Sequence, residues 1–294
     1  MVEPWVIAQA LQGTALEGRA VRARPVRDTG EVGFEVPNDD LEPLTAWRIA
    51  RDACAGIEVW PLVGCAGPNT YGRRAISTPE DQSPQAILRR AEHLSWPQSM
   101  PPAPVPHDVD EWWPRVVRGS VIETMRRLGD APDAAELLER FSGPDYAGLE
   151  AWLLSWEERQ RPTLVQEPAG RFDTVWEADV FEPGIALLPT SLPWALPAYV
   201  DYWGAGYAYG PEIGHIGYEL LTVAMRDWYD RFGAVPWAAT GVTVHFTVER
   251  PPGNIADAFQ LATELARFCK WDESYRQLAR GLLHSEFWEL YDRP

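Results

Sequence analysis

The residues of this chain best suited to chemistry lie together between positions 199 and 215. Here Tyr199, Tyr202, Tyr207, Tyr209 and Trp203 are interleaved with Asp201, Glu212, His215 and four glycines, 204, 206, 210 and 214. Glycine lets a backbone approach a ligand closely, and tyrosine offers a flat face with a hydroxyl at its edge. Histidine titrates near neutrality, so His215 is the candidate general acid/base. Asp201 or Glu212 would orient it, and Tyr207 or Tyr209 would donate a hydrogen bond. Tyr202, Trp203, Tyr207 and Tyr209, with His245 from a separate strand, form the candidate binding set. The segment falls between a predicted strand and a predicted helix, a position where open α/β architectures hold ligands. The competing reading is a glycine-rich turn that only packs its aromatics. A phosphate cradle is excluded, because the G-x-x-x-x-G-K-[ST] pattern is missing.

Other chemistries lack their residues. His93, His107, His215, His245 and His284 show neither H-x-x-x-H nor H-E-x-x-H spacing, and Cys54, Cys65 and Cys269 form no C-x-x-C pair. No metal, disulfide framework or cofactor is implied. No G-x-S-x-G elbow marks a nucleophile. Cys65, beside Gly64, is either a reactive thiol or an inert loop cysteine, while Cys54 and Cys269 read as core. His245 sits on the polar side of an alternating strand, either exposed or facing a cleft. Asp227 with Arg231, and Glu157 and Glu158 with Arg159, read as solvated helix surface.

Composition narrows the partners. Lys+Arg total 26 against 43 Asp+Glu, a net charge of -17, so a nucleic-acid backbone would be repelled. The one basic cluster, Arg19, Arg22, Arg24 and Arg27, is a solvated arm or a phosphate contact. Fifteen tryptophans raise the expectation of binding faces. No run of about 18 apolar residues suggests a membrane span, and the opening Glu3-Pro4-Trp5 is unlike a signal peptide, so a cytoplasmic, reducing location is expected.

The elements that must position these residues follow from periodicity. VGFEV at 32–36 predicts a strand, followed by a helix capped at Asn38/Asp39 and reaching Cys54. IEVWPLV at 57–63 is strand-like, but Pro61 confines it to an edge or an end. From 65 to 180, glycine- and proline-rich loops alternate with helices at 83–93, 133–141 and 145–160, around a linker at 99–106. IALL at 185–188 predicts a doubly covered strand. A long helix then turns Ile216, Leu220, Val223 and Trp228 inward and ends at Gly233. Strict alternation over 242–248 marks another strand. Asn254 caps the next helix, a further helix covers 274–284, and FWELY at 287–291 predicts a closing strand.

Read with their spacings, these segments resemble the bacterial family called domain of unknown function 4253. The resemblance rests on VWPLVG at 59–64, IALLPTSLPWALPAYVDYWGA at 185–205, MRDWYDRFGA at 225–234, VTVHFTVERPP at 242–252, ELARFC at 264–269 and FWELYD at 287–292. It implies a fold grouping and no catalytic residues. Where that family has a polar turn after the tryptophan and glycine, this chain has Ala205-Gly206-Tyr207-Ala208-Tyr209, which implies a different ligand for any site there.

The expected fold is α+β: a mixed sheet from 30–64 with 181–294, a ferredoxin-like closing half, and a helical insertion over 65–180 packed on it. Two functions fit. One is a non-catalytic acidic binding protein, an immunity-type neutraliser of a basic protein partner. The other is a metal-independent enzyme acting on a small aromatic or apolar molecule in the pocket at 199–215.

Overall fold

The computed structural model describes residues 2–25, 32–64, 83–99, 109–141, 143–165, 184–200, 217–240, 243–269 and 274–291. In chain order they form α1 (Pro4–Ala10), β1 (Arg22–Pro25), β2 (Val32–Val36), α2 (Pro43–Ala53), β3 (Trp60–Val63), α3 (Pro84–Ala91), α4 (Val109–Leu128), α5 (Ala134–Arg140), α6 (Tyr146–Gln160) and α7 (Pro162–Val165). They continue with β4 (Ile185–Leu188), α8 (Leu196–Tyr199), α9 (Gly217–Phe232), β5 (Val235–Ala239), β6 (Thr243–Thr247), α10 (Ile255–Leu265), α11 (Tyr275–Leu282) and β7 (Phe287–Tyr291). Two compact units result. A sheet unit contains Met1–Met100, Thr174–Arg250 and Glu286–Pro294; a helical unit contains Pro101–Asp173 and Pro251–Ser285. The helical part read from sequence was 65–180; the helical unit begins later and also takes in α10 and α11.

The sheet is mixed, with seven strands in the order β1-β2-β4-β3-β5-β6-β7. All neighbours are antiparallel except β3 and β5, which run parallel through the single registered pair Val63↔Ala238. A ferredoxin-like closing half would interleave its strands. Here β5, β6 and β7 are antiparallel neighbours in chain order, with α10 and α11 between β6 and β7, and β3, from the N-terminal segment, is inserted between β4 and β5. Both faces of this central region are apolar: Leu62 and all four residues of β4 are fully buried.

Proline in β3 did not confine that strand to an edge. Two tryptophans carry the hydrogen bonding around it. The indole N–H of Trp47 donates to the Pro61 carbonyl at 3.0 Å, and that of Trp60 donates to the Pro236 carbonyl at 3.0 Å. Because the β3–β5 ladder needs only one registered pair, the N–H that proline lacks is not called upon there.

Helix α2 starts four to five residues later than its predicted cap. Asn38 instead closes a local turn, accepting from the Leu41 N–H and donating to the Leu41 carbonyl. Pro43 opens the helix, and the Glu42 carboxylate accepts from the backbone of Leu44 and Thr45. Proline has φ preset for a first turn and no N–H to leave unpaired, so this start wins. The buried face carries Leu44, Trp47 and Ala50 into a core with Phe34, Val36, Ile185 and Leu187. Cys54, at the helix end, is buried as expected, and burial pushes its thiol up to about 11.

Helix α9 lays Leu220, Met225, Trp228 and Phe232 inward. Trp228 is met edge-on by Trp96 at 6.1 Å and Phe246 at 6.3 Å, and Phe232 meets Trp288 at 5.2 Å. The helix ends as predicted on Gly233, at φ +63°, whose N–H donates to Tyr229 while that of Ala234 donates to Trp228. A Cβ at this position would lie 2.8 Å from the Glu249 Cβ. Gly233→Ala is therefore expected to lose about 1–2 kcal/mol in urea unfolding, from the left-handed backbone alone and before that contact is relieved.

In the helical unit, Trp113, Val117, Leu137, Leu149 and Leu153 form a small core. The Trp113 indole closes it by donating to the Phe141 carbonyl at 2.8 Å. Helix α4 is the element that periodicity missed, because Pro114 interrupts its pattern one turn in. Helix α11 opens on a capping box between Ser274 and Gln277.

Candidate functional site

Asp201, Tyr202, Trp203, Tyr207, Tyr209, Glu212 and His215 all lie outside the described residues, as does Cys65. His245 is described, and it differs from the exposed position that alternation offered. It is 8% exposed, directly opposite Glu289 on β7, with its ring 5.7 Å from that of Trp237. Both faces of β6 are covered, so strand alternation no longer sorts inside from outside. Burial pushes the imidazole down to about 4, which keeps it neutral at physiological pH.

The sheet unit carries a cleft of about 640 Å³ at one end of its central strands, where β4 and β6 finish and β3, β5 and β7 begin. The alternation of strand directions brings Trp60, Ser191, Val235, Thr247 and Phe287 to this end. Arg48 and Arg51, three apart on α2, line it from one helix, and Tyr229 and Asp230 from the last turn of α9. Tyr229 is 38% exposed, unusual for a large aromatic beside a core helix end. Trp60, Tyr229 and Phe287 thus give the cleft three aromatic walls.

Among the described residues its charges are six: Arg48, Arg51 and Arg250 against Asp230, Glu249 and Glu286. Three of them are already paired. The Arg250 guanidinium donates to the Glu249 carboxylate at 2.9 Å and to the carbonyls of Tyr229 and Asp230, so it closes the C-terminus of α9. Arg51 pairs with Asp52 at 2.7 Å and stacks over the Trp47 ring at 4.9 Å. Arg48 acts electrostatically on Glu42. The carboxylates of Asp230 and Glu286 have no cationic partner among the described residues. The charge left over in the cleft is therefore negative and sits beside aromatic rings, an arrangement suited to a cation. This cleft was not legible in the sequence, since its lining comes from six separated segments.

A second polar constellation lies inside the helical unit. Arg276 on α11 is wholly buried, with its Nε 2.9 Å from Glu150 Oε2 and one Nη bonded to Glu157. Thr124 accepts from Arg276 at 2.8 Å, Ser120 donates to Glu150 at 2.9 Å, and Arg127 donates to Glu157 at 2.7 Å. Glu123 stands at the margin, accepting from Ser274 at 2.9 Å; burial above all raises its carboxyl, against the pull of Arg276. Glu157 was expected on a solvated helix end and is instead 1% exposed, since α11 brings an arginine to it. With Arg276 bonded to both buried carboxylates, this network fits a structural role.

Two arginines of the basic N-terminal cluster are spent on intramolecular pairs, Arg19 with Asp40 and Arg24 with Glu35. The pair Asp227 and Arg231 is formed at 2.7 Å and is partly exposed, as its spacing predicts. Among the described residues, no group of His, Cys, Asp and Glu could hold a metal ion, and no helix is long and apolar enough to cross a membrane.

No curated protein and no solved structure matches the chain. A family model does match, from the start of β4 to the end of β7, and it agrees with the resemblance carried by the motifs at 185–205, 225–234, 242–252, 264–269 and 287–292. Residues 184–292 are a match to the family described as Domain of unknown function (DUF4253).

Proposed function

We propose that the protein acts by binding rather than by catalysis, as an acidic neutraliser of a basic protein partner. The observation that carries this reading is the cleft at the sheet end, which has aromatic walls and two carboxylates without a counter-cation among the described residues. The net charge of -17 supports it at long range, because opposite charge speeds encounter before any contact forms. Aromatic side chains then supply the area that holds a partner in place. Two of the three arginines that line the cleft, Arg250 and Arg51, are tied to Glu249 and Asp52.

Immobilised full-length protein, exposed to extract of its native host at low salt, should retain one basic polypeptide at equal stoichiometry. Release should follow as salt approaches about 0.5 M, where the screening length shrinks below the spacing of surface charges. Retention of only acidic or neutral proteins, or of nothing above the blank resin, counts against a basic partner.

A further inference from the structure

We infer that the sheet-end cleft is a guanidinium site, which takes an arginine side chain of the partner; the identity of that partner as basic rests on the reading above. Arg250 is saturated by Glu249 and the last carbonyls of α9, and Arg51 by Asp52 and the Trp47 face, while Asp230 and Glu286 line the same space without a cation among the described residues. An incoming cation meets those two carboxylates.

The walls then choose among cations. Trp60 presents an indole whose N–H is held by the Pro236 carbonyl at 3.0 Å, so its ring is fixed in orientation. Tyr229 stands more than a third exposed at the same cleft. A flat, weakly hydrated guanidinium stacks on such faces and forks to a carboxylate, whereas an ammonium is a compact, strongly hydrated point charge. This chain already uses the same contact internally, with Arg140 over Trp152 at 5.2 Å and Arg226 over Trp194 at 5.5 Å. The volume, about 640 Å³, is well above the roughly 300 Å³ of a small-ligand pocket and admits the side chain with some flanking backbone. Among the described residues, Arg48 is the one like charge on the lining without an ion pair to a neighbouring carboxylate, so it opposes the ligand.

The test uses the full chain and two capped tripeptides, acetyl-Gly-Arg-Gly-amide and its lysine counterpart, titrated by calorimetry and by the indole N–H signal of Trp60. The arginine peptide should bind at roughly 1 mM, as one short side chain can, with the lysine peptide at least about fivefold weaker. The exposed-residue double variant D230N/E286Q should lose about tenfold or more, and R48Q should gain about two- to threefold. Thermal unfolding of each variant shows whether the fold is intact.

Equal affinity for both peptides, no Trp60 shift, an unchanged D230N/E286Q, or weaker binding by R48Q overturns the assignment. The two readings separate in the capture experiment. If a basic protein is retained equally by the wild type and D230N/E286Q, the cleft assignment fails and the basic partner stands. If the arginine peptide binds but no basic protein is ever retained, the partner reading fails and the cation chemistry of the cleft stands.

Discussion

Arg276→Met is expected to destabilise the protein by about 3–5 kcal/mol. Arg276 is wholly buried, and its guanidinium is shared between Glu150 and Glu157, themselves 0% and 1% exposed. The two carboxylates differ in what remains once the guanidinium is gone. Glu157 keeps Arg127 at 2.7 Å and Arg280 at 3.6 Å. Among the described residues, Glu150 keeps only the hydroxyl of Ser120. The penalty is thus mainly that of an uncompensated buried carboxylate, not the loss of a favourable pair.

That distinction can be measured. If it holds, the double variant R276M/E150L should recover most of the loss, because a well-packed apolar pair often equals or exceeds a buried ion pair in stability. Arg276→Lys should fall between, since an ammonium cannot serve Glu150 and Glu157 with a fork. Urea unfolding of the two single variants and the double variant closes the cycle. A double variant no better than R276M alone would mean that the network contributes in its own right.

The second large effect is an acid limb in the stability curve set by His245. Its folded value, about 4, lies below the 6.5 of a free imidazole because burial disfavours the cation. Between those values the unfolded chain binds a proton that the folded chain refuses. Stability is therefore full above pH 6.5, declines as pH falls toward 4, and loses nothing more from this group below that. The span corresponds to about 3 kcal/mol. In His245→Gln this part of the pH dependence should vanish, although other groups still titrate. Unfolding free energies for both proteins at neutral pH and at about pH 4.5 give the difference directly. Parallel pH profiles for the two would show that His245 takes up its proton in the folded state.

Local signals were read well because their physics is local. Asn254 at the head of α10, Ser83 before Pro84 and Gly233 after Phe232 each act within four residues of themselves. The apolar run of β4 and the strands β6 and β7 were equally plain. The start of α2 failed for an instructive reason: two capping candidates compete within a few residues, and proline at the first helical position settles the choice.

Other features depend on what arrives from elsewhere in the chain. Pro61 sits inside the sheet because Trp47 and Trp60 carry the hydrogen bonds around it. Glu157 looks like a surface residue in its own helix, and becomes buried because Arg276 reaches it from 119 residues away. His245 obeys its alternating pattern, yet both sides of its strand are covered.

By itself, then, the sequence determined most of the helices and strands of the closing third, the mixed α/β class, the family match of that third and the strong negative charge. Tertiary structure alone decided which strands became central, which charged groups were buried and neutralised, and where a cleft opened with carboxylates to spare. Caps, turns and periodic faces are set by interactions among neighbours, whereas burial and charge balance at a site are sums over segments that only the folded chain brings together.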